Sequence, residues 1–510
     1  MSKLRKPRRK SHPVLVTLLL MLIQLGVLIY AYILFAGFTQ FLAFGWTIFA
    51  LVLIVFIINR EENPGYQIAW IIPMCLFPLF GILLYIYVQV LPGTRAMAKE
   101  HAKSVERTAP FLVFNRDVLR RLRSIDGPFG SLAMYMGKRG PHPLYLSGDN
   151  EYLASGEDAF ESIFEALESA KEFIFIEFFI MSEGELMDRA LKILAEKAAS
   201  GVEVRFLYDG TTSYRLPVGF DQYLTSLGIR VHIFSPVIPL LSTYQNNRDH
   251  RKIIVVDGKV AFTGGINLAD EYVNIKELYG HWKDAAIRVE GEAVNSFTLL
   301  FLQMWNMQRP DDEDVLVYLR KYDQLPKSDS FIIPYADAPY DGESMAENVY
   351  LHILYQAQKY VHIMSPYFIP SHDILTAIIF AAKRGVDVKL ILPRIPDKRI
   401  PFYVARGYYP QLIRAGVKIY EYLPGFTHSK VFVSDDKVST VGSVNLDYRS
   451  LYLHYEVGAL VYEKEMSLKV EADILSTLRE SERIYMEDYR SFHLFTRLIG
   501  KVMRIFGPLL

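Results

Sequence analysis

The chain has 510 residues, and its 56 Lys+Arg are balanced by 56 Asp+Glu. That length implies two or three folded units with core enough to need no disulfide or metal staple. Zero formal net charge argues against a nucleic-acid coat or an acidic disordered tail, and the single cysteine, Cys75, excludes an intramolecular disulfide.

The chain opens on a basic leader: Lys3, Arg5, Lys6, Arg8, Arg9 and Lys10. No Asp, Glu, Lys or Arg then occurs before Arg60. Two apolar runs fill the gap, 14–35 and 41–58, joined by the short link 36–40 with Gly37. Each reaches or approaches the roughly 20 residues that cross a bilayer, so the pair reads as a transmembrane hairpin. The first run is too long for a signal-peptide core and no small-residue cleavage site follows it. Basic flanks stay cytoplasmic, which puts both ends of the hairpin on the cytoplasmic side. A third apolar segment, 68–91, is long enough to span but contains Pro73 and Pro78. Arg95, Lys99, Lys103 and Arg107 follow it, and this charge favours a re-entrant or tilted segment that keeps the rest of the chain inside. Residues 1–108 are therefore expected to be a multi-pass membrane region.

From residue 109 strands alternate with amphipathic helices, the texture of an α/β protein. Strands are expected at 173–180, 202–208 and 230–234, with a helix at 187–200 ended by Gly201 and another ended by Gly228. The pattern returns as strands at 361–365, 386–392 and 417–420, a helix at 374–384, and glycines at 385 and 416. The paired glycines stand 385 − 201 = 184 and 416 − 228 = 188 apart, which is a domain duplication and not a short solenoid repeat. The acidic stretch 310–314 and the polar residues to Ser330 make a join, giving units at 109–325 and 326–510.

Each unit carries H-x-K-x4-D: His250, Lys252 and Asp257 in the first, His428, Lys430 and Asp435 in the second, 428 − 250 = 178 apart. A G-[GS]-x-N sequel follows each, with Gly264, Gly265 and Asn267, then Gly442, Ser443 and Asn445. Residues two apart on a strand share a face, so each imidazole projects beside its ammonium. A protonated lysine clamps phosphate and does not ligate metal. Two such sets facing one another would surround a phosphate with two imidazoles, two ammoniums and two amides. Phosphodiester exchange needs two histidines: one to attack phosphorus and form a phosphohistidine, one to protonate the leaving alkoxide and then deprotonate the incoming hydroxyl. Lysines and asparagines stabilise the non-bridging oxygens, and no metal or other cofactor is required.

Each imidazole also needs a carboxylate to hold its tautomer. Asp284, in H-W-K-D-A-A-I-R-V, and Glu456, in H-Y-E-V-G-A-L-V-Y, stand in matching contexts at the start of the next strand. Asp257 and Asp435 are candidate site residues by their place in the motif, yet both fall at strand-ending turns, where a carboxylate more often holds the turn. Arg248 and Arg251 flank the first motif and are open to two readings, contact with an anionic lipid or simple solvation. Residues 492–510 space apolar side chains with Arg497, Lys501 and Arg504, as in a basic helix lying on an anionic bilayer or one docked on the protein's own core.

These motifs resemble those of the phospholipase D superfamily. Y-Q-N-N-R-D-H-R-K-I-I-V-V-D-G and T-H-S-K-V-F-V-S-D-D, with the hydrophobic N-terminus, are similar to the bacterial cardiolipin synthases of that superfamily. The resemblance implies two pseudo-symmetric phospholipase D-like α/β sandwich domains behind a transmembrane helical region. It implies transfer of a phosphatidyl group from one phosphatidylglycerol to another, giving cardiolipin and glycerol. It also implies His250 as nucleophile with His428 as acid and base, and pairing of Asp284 with His250 and Glu456 with His428. The pseudo-symmetry of the sequence leaves open which histidine attacks. A phosphodiesterase of the same superfamily that hydrolyses phospholipid is the alternative, distinguished by water as acceptor. Charge balance and a lipid tether weigh against nucleic acid as partner.

Overall fold

The computed structural model describes residues 42–60, 63–90, 93–237, 246–308, 314–322, 328–339 and 341–509, with positions 19, 22–27, 29–31, 33 and 34. The basic leader, part of the run 14–35, the link 36–40 and the stretches 309–313 and 323–327 of the join, with the expected boundary at 325, lie outside the described residues.

Two sheets carry the duplication. The first runs, edge to edge, Glu151–Leu153, Ala286–Glu290, Val260–Gly264, Ile253–Val256, Phe173–Phe178, Glu203–Asp209 and Arg230–Phe234. The second repeats that order with Phe331–Asp337, Glu456–Tyr462, Val438–Gly442, Val431–Ser434, Tyr360–Met364, Asp387–Pro393 and Lys418–Tyr422. It adds Tyr145–Leu146 at one edge and Ser481–Ile484 at the other. In both, the strand at the Phe173 or Tyr360 position and the two beyond it in the repeated order pair parallel, and the others antiparallel. The parallel strands need crossover helices, and these end on Gly201, Gly228, Gly385 and Gly416, all at positive φ, where the chain reverses without a Cβ clash.

Strand alternation explains how the sheets face each other. Ile253 and Val255 point into a core shared with Val431 and Val433 of the second sheet. Ile254 and Val256 point the other way, onto the first unit's outer helices, with Ile163 and Leu191. Phe432 likewise turns outward into the second unit's own core. The shared core also receives the helices Val294–Gln308 and Lys464–Arg479. Each such buried side chain contributes about 1.5–3 kcal/mol, so the shared core holds the two units together.

The division at 325 does not follow this packing throughout. The helices Arg116–Ile125 and Gly127–Arg139 bury Val118, Leu122, Phe129 and Met136 in one cluster with Phe331 and Ile333 of the second sheet and Tyr350 of the helix Met345–Gln356. Tyr145 and Leu146 then pair with Ile332 and Phe331. Residues that precede the first sheet in sequence thus complete the second, a non-local pairing that periodicity does not reveal.

Among the described residues no helix is long and apolar enough to cross a membrane. The run 41–58 appears as a helix of 17 residues, Leu42–Ile58. The segment 68–91 is not one helix: it divides at Phe77 between Pro64–Leu76 and Pro78–Val90. Proline disfavours the α conformation in the residue before it, and Phe77 sits at φ −140°, ψ 78°. Pro73 is accommodated within its helix.

Candidate active site

The site forms where the two motifs meet, and backbone pairing between the halves decides its wiring. The segment before the first motif pairs in parallel with the segment before Glu456, through Asp249 and Tyr455. The His250 amide donates to the Tyr455 carbonyl at 2.9 Å, and the Tyr455 amide to the Arg248 carbonyl at 2.8 Å. In the mirror arrangement Gly425–Thr427 pairs in parallel with His281–Lys283, and the His428 amide donates to the Lys283 carbonyl at 2.6 Å.

The next residue along each partner segment is the acid. His250 Nδ1 lies 3.0 Å from Glu456 Oε2, and His428 Nδ1 lies 2.7 Å from Asp284 Oδ2. Each histidine is therefore oriented by the carboxylate of the other half. The pairing of Asp284 with His250 and Glu456 with His428 is thus reversed by the structure, because the strand that delivers each acid lies beside the opposite motif. Both carboxylates are fully buried, and both imidazoles are nearly so. With Nδ1–H donated to a carboxylate, each Nε2 keeps a lone pair for chemistry.

The two halves differ in detail. The Ser443 hydroxyl donates to Glu456 Oε2. Its counterpart, Gly265, could carry no such group: a Cβ there would meet Asp284 Oδ1 at 2.0 Å. The shorter acid, Asp284, instead accepts the Ala285 amide at 2.9 Å and the Trp282 indole N–H at 3.5 Å.

The lysines stand beside their histidines. Lys430 Nζ is 2.9 Å from His428 Nδ1 and donates to the His428 carbonyl; Lys252 donates to the His250 carbonyl. Burial lowers Lys252 to about 8 and Lys430 to about 7. Burial, then the Lys252 and Lys430 ammoniums, holds His250 well below 6.5. Burial, then Lys430, brings His428 down to about 4. Burial pushes the Asp284 carboxyl up, but His428 and Lys430 outweigh it and keep it below the usual range. Cations of each half act on the histidine of the other, so the motifs share one electrostatic site.

The asparagines are tied into the scaffold to different degrees. Asn267 accepts the Ile180 amide at 2.9 Å and donates to the Tyr272 hydroxyl at 2.8 Å. Asn445 is buried, and its Oδ1 has no hydrogen-bond partner. Asp257 and Asp435 are not at the histidines. Asp257 accepts the amides of Lys171, Glu172 and Phe173, and Asp435 those of Gln358, Lys359 and Tyr360. Both sit at positive φ and tie the far end of the motif strand to the start of its neighbour. A direct catalytic role for them is at odds with these contacts, since both carboxylates are taken up by backbone amides away from the histidines.

The flanking arginines meet neither of their two readings. Arg248 is buried and donates to the Ser235 carbonyl at 2.7 Å, near Asp209. Arg251 is buried on the opposite face of its strand from His250 and Lys252, and donates to the Glu456 carbonyl.

Several contributors escape motif reading. His454, two residues before Glu456, lies with its ring 5.4 Å from that of His250, and neither of its ring nitrogens has a hydrogen-bond partner. Phe179 meets His250 edge-on at 4.8 Å. Trp282, Tyr272 and Phe426 enclose His428 at 5.2, 5.4 and 5.8 Å. His454 and Trp282 hold equivalent places before the two acids, a correspondence visible in H-Y-E and W-K-D once the acids are aligned. His250, His454 and Glu456 offer three ligand atoms within 4.8 Å of one another, the one such group among the described residues. The neighbouring lysine ammoniums oppose a divalent cation there.

The sequence matches the family described as "Cardiolipin synthase, PLD-like domain" over residues 163–305 and 350–477, one stretch in each half. It also matches "Phospholipase_D-nuclease N-terminal" over 45–88. It is 42% identical over 458 residues to an uncharacterized protein of Streptococcus mutans, covering 90% of this chain and 99% of that one. It is 36% identical over 467 residues to a cardiolipin synthase of Geobacillus sp., covering 90% and 92%. Among solved structures, phosphatidylserine synthase from Haemophilus influenzae shares the fold, with a TM-score of 0.58 over 74% of this chain and 99% of that chain at 16% identity. With both motif-bearing halves matched and more than one-third identity over most of its length, the chain belongs to the phospholipase D-like cardiolipin synthases.

Proposed function

We propose that the chain transfers a phosphatidyl group between two phosphatidylglycerol molecules, giving cardiolipin and glycerol. The observation that carries this reading is the pair of buried imidazoles, each with Nδ1 on a carboxylate of the other half and a lysine alongside. His250 Nε2 attacks phosphorus, forming a P–N bond as the P–O bond to glycerol breaks. His428 delivers its Nε2 proton to the departing oxygen. In the second step the free hydroxyl of another phosphatidylglycerol gives its proton to His428 and attacks phosphorus, and the P–N bond breaks. One phosphodiester replaces another, so the reaction is reversible.

The depressed titration of His428, to about 4, fits a site that gains its proton with the substrate. A diester anion among His250, His428, Lys252 and Lys430 favours the charged form of each, which raises His428 toward neutrality. Lys252 and Lys430 then face the non-bridging oxygens, and the free donor capacity of Asn267 and Asn445 supplements them. Asp257 and Asp435 support the motif strands from the turn.

Residues 1–108 are read as a multi-pass membrane anchor with the catalytic halves on the cytoplasmic side, a reading supported by the basic leader and by the absence of charge from Lys10 to Arg60. Tethering keeps the site at the headgroups and raises effective concentration.

The test gives the purified full-length protein phosphatidylglycerol vesicles and resolves products by mass. Cardiolipin with equimolar glycerol is expected. Phosphatidic acid alone would overturn the transferase reading in favour of hydrolysis.

A further inference from the structure

We propose that the C-terminal helix Leu494–Met503 and the turn Arg504–Leu509 form a second contact with an anionic lipid surface, beside the N-terminal helices. This rests on the membrane reading above and adds to it a defined surface element.

One face of the helix is taken by protein. Gly500 packs on the helix Arg399–Ala415 so closely that a Cβ there would meet the Tyr403 carbonyl at 2.3 Å, and Met503 reaches the second unit's core. The opposite face is apolar and open. Leu494, Phe495 and Leu498 are 73%, 63% and 57% exposed, and Val502, Ile505 and Phe506 extend the stripe. A helix docked only on its own protein turns polar residues outward, so a row of this kind needs an apolar partner. Lys501 is exposed in the helix and supplies a cation for negatively charged headgroups, while Arg497 is half-buried over the Tyr489 ring and donates to the Arg490 carbonyl.

The position of the stripe names that partner. The turn Arg504–Leu509 packs on the helix Pro64–Leu76: a methyl at Gly65 would meet Pro508 Cγ at 2.9 Å and the Tyr448 hydroxyl at 2.8 Å. Tyr66 stacks edge-on against Tyr448 and Tyr452, and Asn63 donates to the Tyr452 hydroxyl at 2.9 Å. The C-terminal turn thus abuts the apolar N-terminal region, where Ile68, Leu76 and Phe77 are also exposed. Tyr448 follows Asn445 by three residues, so the same junction fixes the site relative to the lipid.

The test places an environment-sensitive fluorophore on Leu498→Cys in a Cys75→Ser background of the full chain, reconstituted in phosphatidylglycerol vesicles. Quenching by nitroxide-labelled lipid and protection from aqueous iodide are expected, with weaker lipid quenching in phosphatidylcholine vesicles. Quenching by iodide alone, or by neither agent because the chain itself covers the stripe, would overturn the inference. Equal lipid quenching in the two vesicle types would overturn its anionic part. Protein that does not float with the vesicles at all would overturn the membrane reading as well, which separates the two failures. As a second measurement, Phe495→Glu with Leu498→Glu should raise KM for vesicle phosphatidylglycerol about tenfold and leave kcat on detergent-dispersed lipid unchanged. An unchanged KM would count against the lipid contact.

Discussion

Glu456→Gln keeps the shape of the side chain that receives the His250 Nδ1 proton and removes its charge. Glu456 is fully buried and accepts from His250 at 3.0 Å and from the Ser443 hydroxyl. A charge-assisted hydrogen bond of this kind is worth about 1.5–3 kcal/mol, or about 10–150-fold in rate at 1.36 kcal/mol per decade. The amide can also turn its NH2 toward Nδ1, which drives the ring proton onto Nε2 and blocks attack; tautomer loss in a comparable buried pair reaches about 10⁴. The expected fall in kcat is therefore about 10²- to 10⁴-fold. The wiring is read by comparing phosphatidylglycerol with a phosphatidyl p-nitrophenyl ester, whose leaving group departs without a proton. His250→Ala and Glu456→Gln should be slow on both donors. His428→Ala and Asp284→Asn should be slow on phosphatidylglycerol yet release nitrophenolate at close to the wild-type burst rate. If Glu456→Gln instead behaves like His428→Ala, and Asp284→Asn like His250→Ala, the crossed pairing is wrong. The grouping of variants decides this even if the roles of the two histidines are exchanged.

Asp257→Ala and Asp435→Ala each strand three backbone amides, and should lower the thermal midpoint by an amount worth about 3 kcal/mol while the folded fraction keeps its turnover; calorimetry beside a specific-activity assay checks this. Gly265→Ser should abolish activity by displacing Asp284 from His428, whereas Ser443→Gly, which removes only a hydroxyl donor to Glu456, should cost far less; steady-state kinetics of the two variants would contradict the steric account if the costs were equal. Because Lys430 titrates near 7 and Lys252 near 8, the charged clamp is present below these values and lost above them, so kcat/KM should fall from pH 7 to pH 9. It should go on rising from pH 7 down to pH 5, because His428, at about 4 in the free enzyme, must take up a proton to act as the acid, and a level profile across that range would show that this histidine already carries its proton before substrate binds.

The local order of the catalytic body was legible in the residues. Apolar runs ended by glycine marked the parallel strands and crossover helices, because strand burial and a left-handed stop are properties of a few neighbouring residues. The motif pair was equally plain, since a duplication leaves both copies in one chain at matching spacing. Asp284 and Glu456 could be singled out the same way, by their matching contexts. What no local pattern contained was which acid serves which histidine. That follows from parallel pairing of Asp249 with Tyr455 and Thr427 with Lys283, contacts made across about 200 and 140 residues of chain. The same holds for the helices at 116–139, whose amphipathic faces were visible but whose partner sheet was not, and for Arg251, whose exposure could be judged only once the second sheet covered it. Sequence alone determined the chemical groups and their duplication; the packing of one half on the other decided how they are connected, because a carboxylate acts on the imidazole it touches and not on the one nearest in sequence.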